Sequence, residues 1–301
     1  MVAGSLCTVA VLTAACAAPD AGADASTPDE VGQEIAKSTR LPTRVVAGYW
    51  QGWGDPALRL RDVPKEYNVI MAAFAVGDRS GAVRFTQSVQ SQASLVSDVK
   101  ALHASGRRVV LAVGGWADGG LQIRNDAQLE KFVSTVTPII DRYHFSGVDW
   151  DLEHGISPAT IAEATFRLKK RYGPNFSVTM APILGAPLER EQLDLARRLK
   201  GTLDMANPQY YNGGRPEQRW IVDHTLEWAR VVGQGNVGMG FVTVKIKGET
   251  GQQSPAAICR MWQDLLVRAP KARGVMVWSI NLDKKDGYRF ARGCARSVRS
   301  S

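Results

Sequence analysis

Between residues 44 and 281, short runs of β-branched and other apolar residues alternate with longer segments whose apolar positions recur at helical spacing. The short runs predict strands over 44–50, 67–76, 107–115, 145–153, 175–183, 203–212, 236–244 and 274–281. The longer segments predict helices over 87–105, 126–143, 157–172, 188–200, 216–232 and 254–269, with a short final helix after Asp286. Leu95, Val99 and Leu102 share one face of the first helix and Gly106 stops it. Asp126 is the expected cap of the second, and Ser157-Pro158 and Ser254-Pro255 each set a cap residue before a first-turn proline. Eight strands alternating with helices, roughly thirty residues apart, is the arithmetic of a single-domain (β/α)8 TIM barrel. An open doubly wound sheet competes, but no Gly-rich phosphate loop follows the first strand, where Tyr49-Trp50-Gln51-Gly52-Trp53 stands.

In the strand over 145–153 acidic residues alternate with large apolar ones. Period two sends Asp149, Asp151 and Glu153 to one face and Val148, Trp150 and Leu152 to the other. Burying unpaired carboxylates is costly, so three on one face of an otherwise apolar strand need a reason. The readings are acid–base chemistry, a hard-cation site, or a solvated edge strand.

Barrel active sites lie at the C-terminal strand ends, and aromatic and amide side chains recur there. They are Tyr49, Trp50 and Trp53 on the first strand, Phe74 on the second, Gly114-Gly115-Trp116 on the third, Gln209-Tyr210-Tyr211-Asn212 on the sixth, and Trp278 on the eighth. Sugar faces stack on aromatic rings and sugar hydroxyls need polar partners, so these residues around three acids point to a carbohydrate substrate.

The chain of 301 residues is 45% hydrophobic, enough apolar content for one sizeable core. The formal net charge is +8, and residues 1–30 hold acids but no Lys or Arg, so the rest is more basic still. That charge is spread without a cluster: it suits anionic surroundings such as a cell wall and predicts no nucleic-acid partner. Residues 1–18 read as a signal peptide or lipoprotein signal, 19–42 as a disordered leader and 43–301 as the barrel, which predicts a secreted, monomeric protein without a transmembrane span. Leu12-Thr13-Ala14-Ala15-Cys16 resembles a lipoprotein box that would acylate Cys16, although Leu stands four residues before Cys rather than three. Of the later cysteines, Cys259 and Cys294, export allows a disulfide, with two buried thiols as the alternative. No CxxC, HExxH or Cys/His cluster occurs, and no cofactor is expected.

Over nearly the whole of this barrel the chain resembles glycoside hydrolase family 18, the chitinase family. Its DGxDxDxE signature reads Ser146-Gly147-Val148-Asp149-Trp150-Asp151-Leu152-Glu153, and its SxGG motif reads Ala112-Val113-Gly114-Gly115, followed by Trp116. Val46-Ala47-Gly48-Tyr49-Trp50 and Gly274-Val275-Met276-Val277-Trp278-Ser279-Ile280-Asn281 match its first and last strands. The resemblance implies substrate-assisted hydrolysis of N-acetylglucosamine polymers, in which the sugar's own acetamido oxygen attacks the anomeric carbon. Glu153 would be the general acid and base. Asp151, ~6.6 Å further along the strand axis from Asp149, would orient the acetamido group and share a proton with Asp149. Tyr211 would bind the acetamido carbonyl, Trp278 would floor the −1 sugar, Tyr49 would support Asp149 and Trp116 would stack at +1. Trp50, Phe74, Met180, Gln209 and Asn212 complete the implied substrate-binding set.

Four departures stand out. Ser146 replaces the first signature Asp. Ala112 replaces the Ser that usually bonds the inner Asp. Gln209-Tyr210-Tyr211-Asn212 replaces MxYD, and Ile183 follows Met180-Ala181-Pro182 where a Glu is frequent. Residues 245–273 have room for only a loop and one helix, which implies an open cleft and internal cleavage. An inactive sugar-binding lectin and an endo-β-N-acetylglucosaminidase acting on N-glycans are the alternatives.

Overall fold

The computed structural model describes residues 40–301 apart from 119, 214 and 247; the expectations for residues 1–39, Cys16 among them, lie outside the described residues. Eight parallel strands close a barrel: β1 (Val45–Gln51), β2 (Val69–Gly77), β4 (Arg108–Gly114), β5 (Gly147–Asp151), β6 (Ser177–Met180), β7 (Met205–Ala206), β8 (Gly238–Val242) and β9 (Gly274–Trp278). Each pairs with the next and β9 returns to β1. The β7–β8 seam is held by bridges between Ala206 and Val237 and between Gln209 and Gly240. One strand was not anticipated: β3 (Val83–Phe85) folds back antiparallel on the end of β2.

The outer layer is α1 (Gln92–Ala104), α2 (Asp126–Tyr143), α3 (Pro158–Tyr172), α4 (Leu188–Arg198), α5 (Gln218–Val232) and α6 (Pro255–Arg268), followed by α7 (Ile280–Lys285) and α8 (Arg296–Ser300). Several boundaries differ from expectation for local reasons. The first helix starts at Gln92 because Gln87 spends its side-chain oxygen on the amides of Val89 and Gln90 and Ser91 takes the cap. Asn125, not Asp126, caps α2 by accepting from the Gln128 amide. The strand expected over 203–212 shrinks to two residues: Pro208 has no amide for a ladder. The last strand ends at Trp278, where Ser279 caps α7.

Side chains alternate across the barrel wall, and two apolar clusters record it. The inner one includes Val45, Ala47, Tyr49, Val69, Met71, Ala73, Val110, Ala112, Ala181, Met205 and Met276, with Phe74 and Trp278 at its upper end. The outer one packs strands against helices and holds Val46, Trp50, Ile70, Ala72, Val148, Trp150, Val178 and Met180. Ala73 and Phe74 are consecutive yet both inward, which the register shift in β2 between Ala72 and Ala75 permits. Cys259 and Cys294 are free thiols, contrary to the disulfide reading. They are hydrogen-bonded to each other, and burial pushes the Cys294 thiol far up.

Candidate active site

The acid strand runs up the centre of the sheet, with Asp149 opposite Ala112 on β4 and Thr179 on β6. Asp149 is fully buried and both its oxygens are taken: Tyr49 OH donates to Oδ2 at 2.7 Å and Thr179 Oγ1 to Oδ1 at 2.6 Å. Burial still raises its pKa to about 6 against those two bonds. Thr179 escaped the sequence reading because a threonine in a strand reads as a β-former. It explains how the site tolerates Ala112: the missing hydroxyl arrives from the opposite neighbouring strand.

One turn of the pleat higher, Asp151 is buried, and Gln209 Nε2 donates to its Oδ1 at 2.8 Å and to the Ala181 carbonyl at 3.0 Å. Its partner is Glu153, to which it is hydrogen-bonded; it reaches Asp149 through charge alone. Asp151 is thus linked to Glu153 at the mouth, with the charge of Asp149 bearing on it from below. Burial first, then the charges of Glu153 and Asp149, hold the Asp151 carboxyl well above the usual carboxylate range. Burial also raises Glu153, while bonds from Gln209 and Asp151 draw it back. The two behave as one coupled acid that keeps a proton where an isolated carboxylate would have lost it.

Gly114 and Gly115 let the loop above β4 pass over this pair. Gly114 has φ +111°, and a Cβ there would come within 2.2 Å of the Asp151 carbonyl; Gly115 has φ +88° and donates its amide to that carbonyl at 2.7 Å. The loop then presents Trp116, 74% exposed, with its ring centroid 5.6 Å from that of His154. His154 Nε2 also lies 2.9 Å from the Trp116 carbonyl oxygen.

Opposite, Tyr49, Phe74 and Trp278 form an aromatic floor: Phe74 stacks on Trp278 at 5.7 Å and 16°, and Tyr49 meets the two rings at 5.6 and 5.5 Å. Trp53, 38% exposed, extends it, 6.0 Å from Phe74. Tyr211 lies among the acids, its phenol pushed upward by burial and by the charges of Asp151, Glu153, Glu249 and Asp149.

Three of the expected substrate-binding residues are elsewhere. Trp50 is fully buried on the helix side, its indole donating to the Leu58 carbonyl at 2.6 Å. Met180 is buried in the same outer layer. Alternation requires both placements, since Tyr49 and Thr179 already face inward and their neighbours cannot. Asn212 spends its amide oxygen on the Thr250 N–H at 2.9 Å, so it holds a loop rather than a ligand. Glu249, in the loop after β8, was not anticipated at all: the Trp278 indole lies beside it as a donor that draws its pKa down. Among the described residues no group of three or more His, Cys, Asp and Glu is arranged to hold a metal ion.

Residues 45–244 match the profile described as glycosyl hydrolases family 18. Among curated proteins the chain is 25% identical to Endochitinase 4 of Metarhizium robertsii, over 82% of this chain and 86% of that one. It is 28% identical to Exochitinase 1 of Streptomyces olivaceoviridis, over 85% of this chain, and there it spans only 56% of the relative's length. In structure it superimposes on a family GH18 chitinase from Chromobacterium violaceum with TM-score 0.77, 24% identity, and coverage of 88% of this chain and 86% of that one. A fungal endo-β-N-acetylglucosaminidase of the same family shares the fold at TM-score 0.66 and 20% identity, with 80% and 90% covered. The match over the barrel and its acid strand makes this chain a member of glycosyl hydrolase family 18.

Proposed function

We propose that the protein is a chitinase: a retaining hydrolase that cuts β-1,4-linked N-acetylglucosamine chains internally. The observation that carries the reading is the Asp151–Glu153 pair at the cleft mouth, two carboxyls whose pKa values burial raises, with the Gln209 amide donating to Asp151.

With a sugar lying on Trp278, Glu153 gives its proton to the glycosidic oxygen as the bond to the anomeric carbon breaks. The acetamido carbonyl oxygen of that sugar attacks the anomeric carbon and closes an oxazolinium ring. Asp151, left as a carboxylate, accepts the acetamido N–H and stabilises the positive charge, while the Tyr211 hydroxyl donates to the acetamido oxygen. Glu153 then removes a proton from water attacking the same carbon, and the ring opens with net retention. No enzymic nucleophile is required.

Internal cleavage is supported by the cleft's walls. Between β8 and β9 the chain has a loop, α6 and a short second connection, too little for an inserted domain to close the groove over an extended chain. The names of relatives do not decide this point, since both an endochitinase and an exochitinase are similar. Export to the cell exterior, with or without acylation at Cys16, is supported by the composition of residues 1–18. No helix among the described residues is long and apolar enough to cross a membrane.

The test is a time course of products from soluble N-acetylglucosamine oligomers beside a high-mannose glycoprotein. Early release of internal fragments from the oligomers is expected, and cleavage of the glycoprotein alone would overturn the chitinase reading.

A further inference from the structure

The loop that joins β8 to α6 carries a carboxylate that the reaction described above does not use. The Trp278 indole lies beside Glu249 as a hydrogen-bond donor that draws its pKa down, and Glu249 Oε2 is buried without a hydrogen-bond partner among the described residues. Glu249 belongs to the cleft: the charge of Glu153 bears on it, and its own charge bears on the phenol of Tyr211. Burial and then that Glu153 charge raise its pKa.

The loop is held in place on both sides of the acid's neighbour. Asn212 N donates to the Thr250 carbonyl at 3.2 Å, and Thr250 N donates to Asn212 Oδ1 at 2.9 Å. Asn212 adopts φ +59°, a left-handed conformation that Asn tolerates. Gly251, at φ +79°, lies so close that a Cβ would stand 3.1 Å from Tyr211 Cα. The loop is thus fitted against the residue that would hold the acetamido group.

Glu249 is near enough to Glu153 and Tyr211 for their electrostatics to couple, and the unmet buried acceptor at its Oε2 is a cost that a donor from the ligand removes. We propose that Glu249 is a substrate-binding residue whose Oε2 accepts a polar hydrogen from the sugar chain beside the unit resting on Trp278. The donor is a ring hydroxyl in the acetylated polymer or a 2-ammonium group in a partly deacetylated one. This rests on the chitinase reading for the class of ligand.

Glu249→Gln keeps the size of the side chain but leaves one oxygen and no negative charge, which weakens acceptance from the sugar, and Glu249→Ala removes both oxygens. Dissociation constants for N-acetylglucosamine oligomers are to be measured in a Glu153→Gln background, and KM and kcat in the otherwise native enzyme, for Glu249→Gln and Glu249→Ala. The expected result is a loss of affinity of about tenfold in both variants, the worth of ~1.4 kcal/mol, with kcat changed much less. A Glu249→Gln variant that binds like the native residue, or a loss confined to kcat, would show that Glu249 only positions Trp278 and would overturn the proposal. Repeating the binding with oligomers carrying glucosamine units identifies the donor: an equal loss marks a hydroxyl, a larger loss the ammonium, and both uphold the contact. Because binding is read without turnover, native enzyme that leaves every oligomer uncut would count against the hydrolase reading and not against this contact.

Discussion

The deep carboxylate Asp149 and two carboxylates at the rim of the cleft are held on opposite principles. Around Asp149 each carboxylate oxygen has a donor supplied by an adjacent strand or by the barrel interior, Tyr49 on one side and Thr179 on the other. At the rim, oxygens are left open: Asp118 Oδ2 and Glu249 Oε2 are buried with no partner among the described residues. Asp118 sits in the loop after β4, anchored through Oδ1 to the Gly77 amide at 2.9 Å, and burial raises its pKa to about 6. A satisfied Asp149 holds one charge arrangement fixed. An unsatisfied rim has capacity for a ligand, and Glu153 lies at the boundary between the two.

The sharpest break of this contrast is Glu153→Gln. Removing the group assigned to pass a proton to the leaving oxygen should lower kcat on N-acetylglucosamine oligomers by about 10²–10⁴-fold while leaving their binding intact in calorimetry. Hydrolysis that survives would mean another group protonates the leaving oxygen, and sugar binding by a native protein that never cleaves would instead mark a lectin.

Asp149→Asn probes the floor. A carboxyl whose folded pKa is raised keeps its proton after the unfolded chain has released it, so its stabilising contribution is present below the unfolded pKa and is lost as pH climbs to the folded one. With a shift from 3.8 to about 6, native stability should fall by about 3 kcal/mol across that window on account of this group. The variant should therefore gain on the native protein between pH 4 and 6 in denaturant titrations. A difference that does not vary with pH would contradict the buried-acid picture.

Thr179→Ala should cost about 1–3 kcal/mol by stranding a buried carboxylate oxygen. Ala112→Ser, on the facing strand in register with Asp149, should recover part of the loss in thermal unfolding. No recovery would mean that the two strands do not share this duty. The smallest effect is expected from Met180→Leu, a volume-conserving change in the outer layer that should cost less than about 1.5 kcal/mol and leave KM unaltered. A rise in KM would return Met180 to the cleft.

These residues also show what the sequence could convey. Period two along 145–153 was enough to turn Asp149, Asp151 and Glu153 inward, and the strand–helix alternation was enough for the barrel, because both are local and repetitive signals. The same period, applied to Tyr49-Trp50 and Thr179-Met180, excludes Trp50 and Met180 from the cleft: parity along the strand, not position at its end, decides which way they face. Phe74 is inward only because β2 shifts register beside it, an irregularity without a sequence signal here. The Asp151–Glu153 pairing and the meeting of Glu249 with Trp278 depend on side-chain rotamers and on contacts between distant loops, which no spacing rule encodes.

The central claim is that the substrate supplies its own nucleophile and the enzyme supplies a proton. The most direct measurement compares hydrolysis by the native enzyme of two oligomers of equal length and linkage, one N-acetylated and one lacking the acetamido groups. The account predicts cleavage of the first and none of the second; equal rates on both would contradict it.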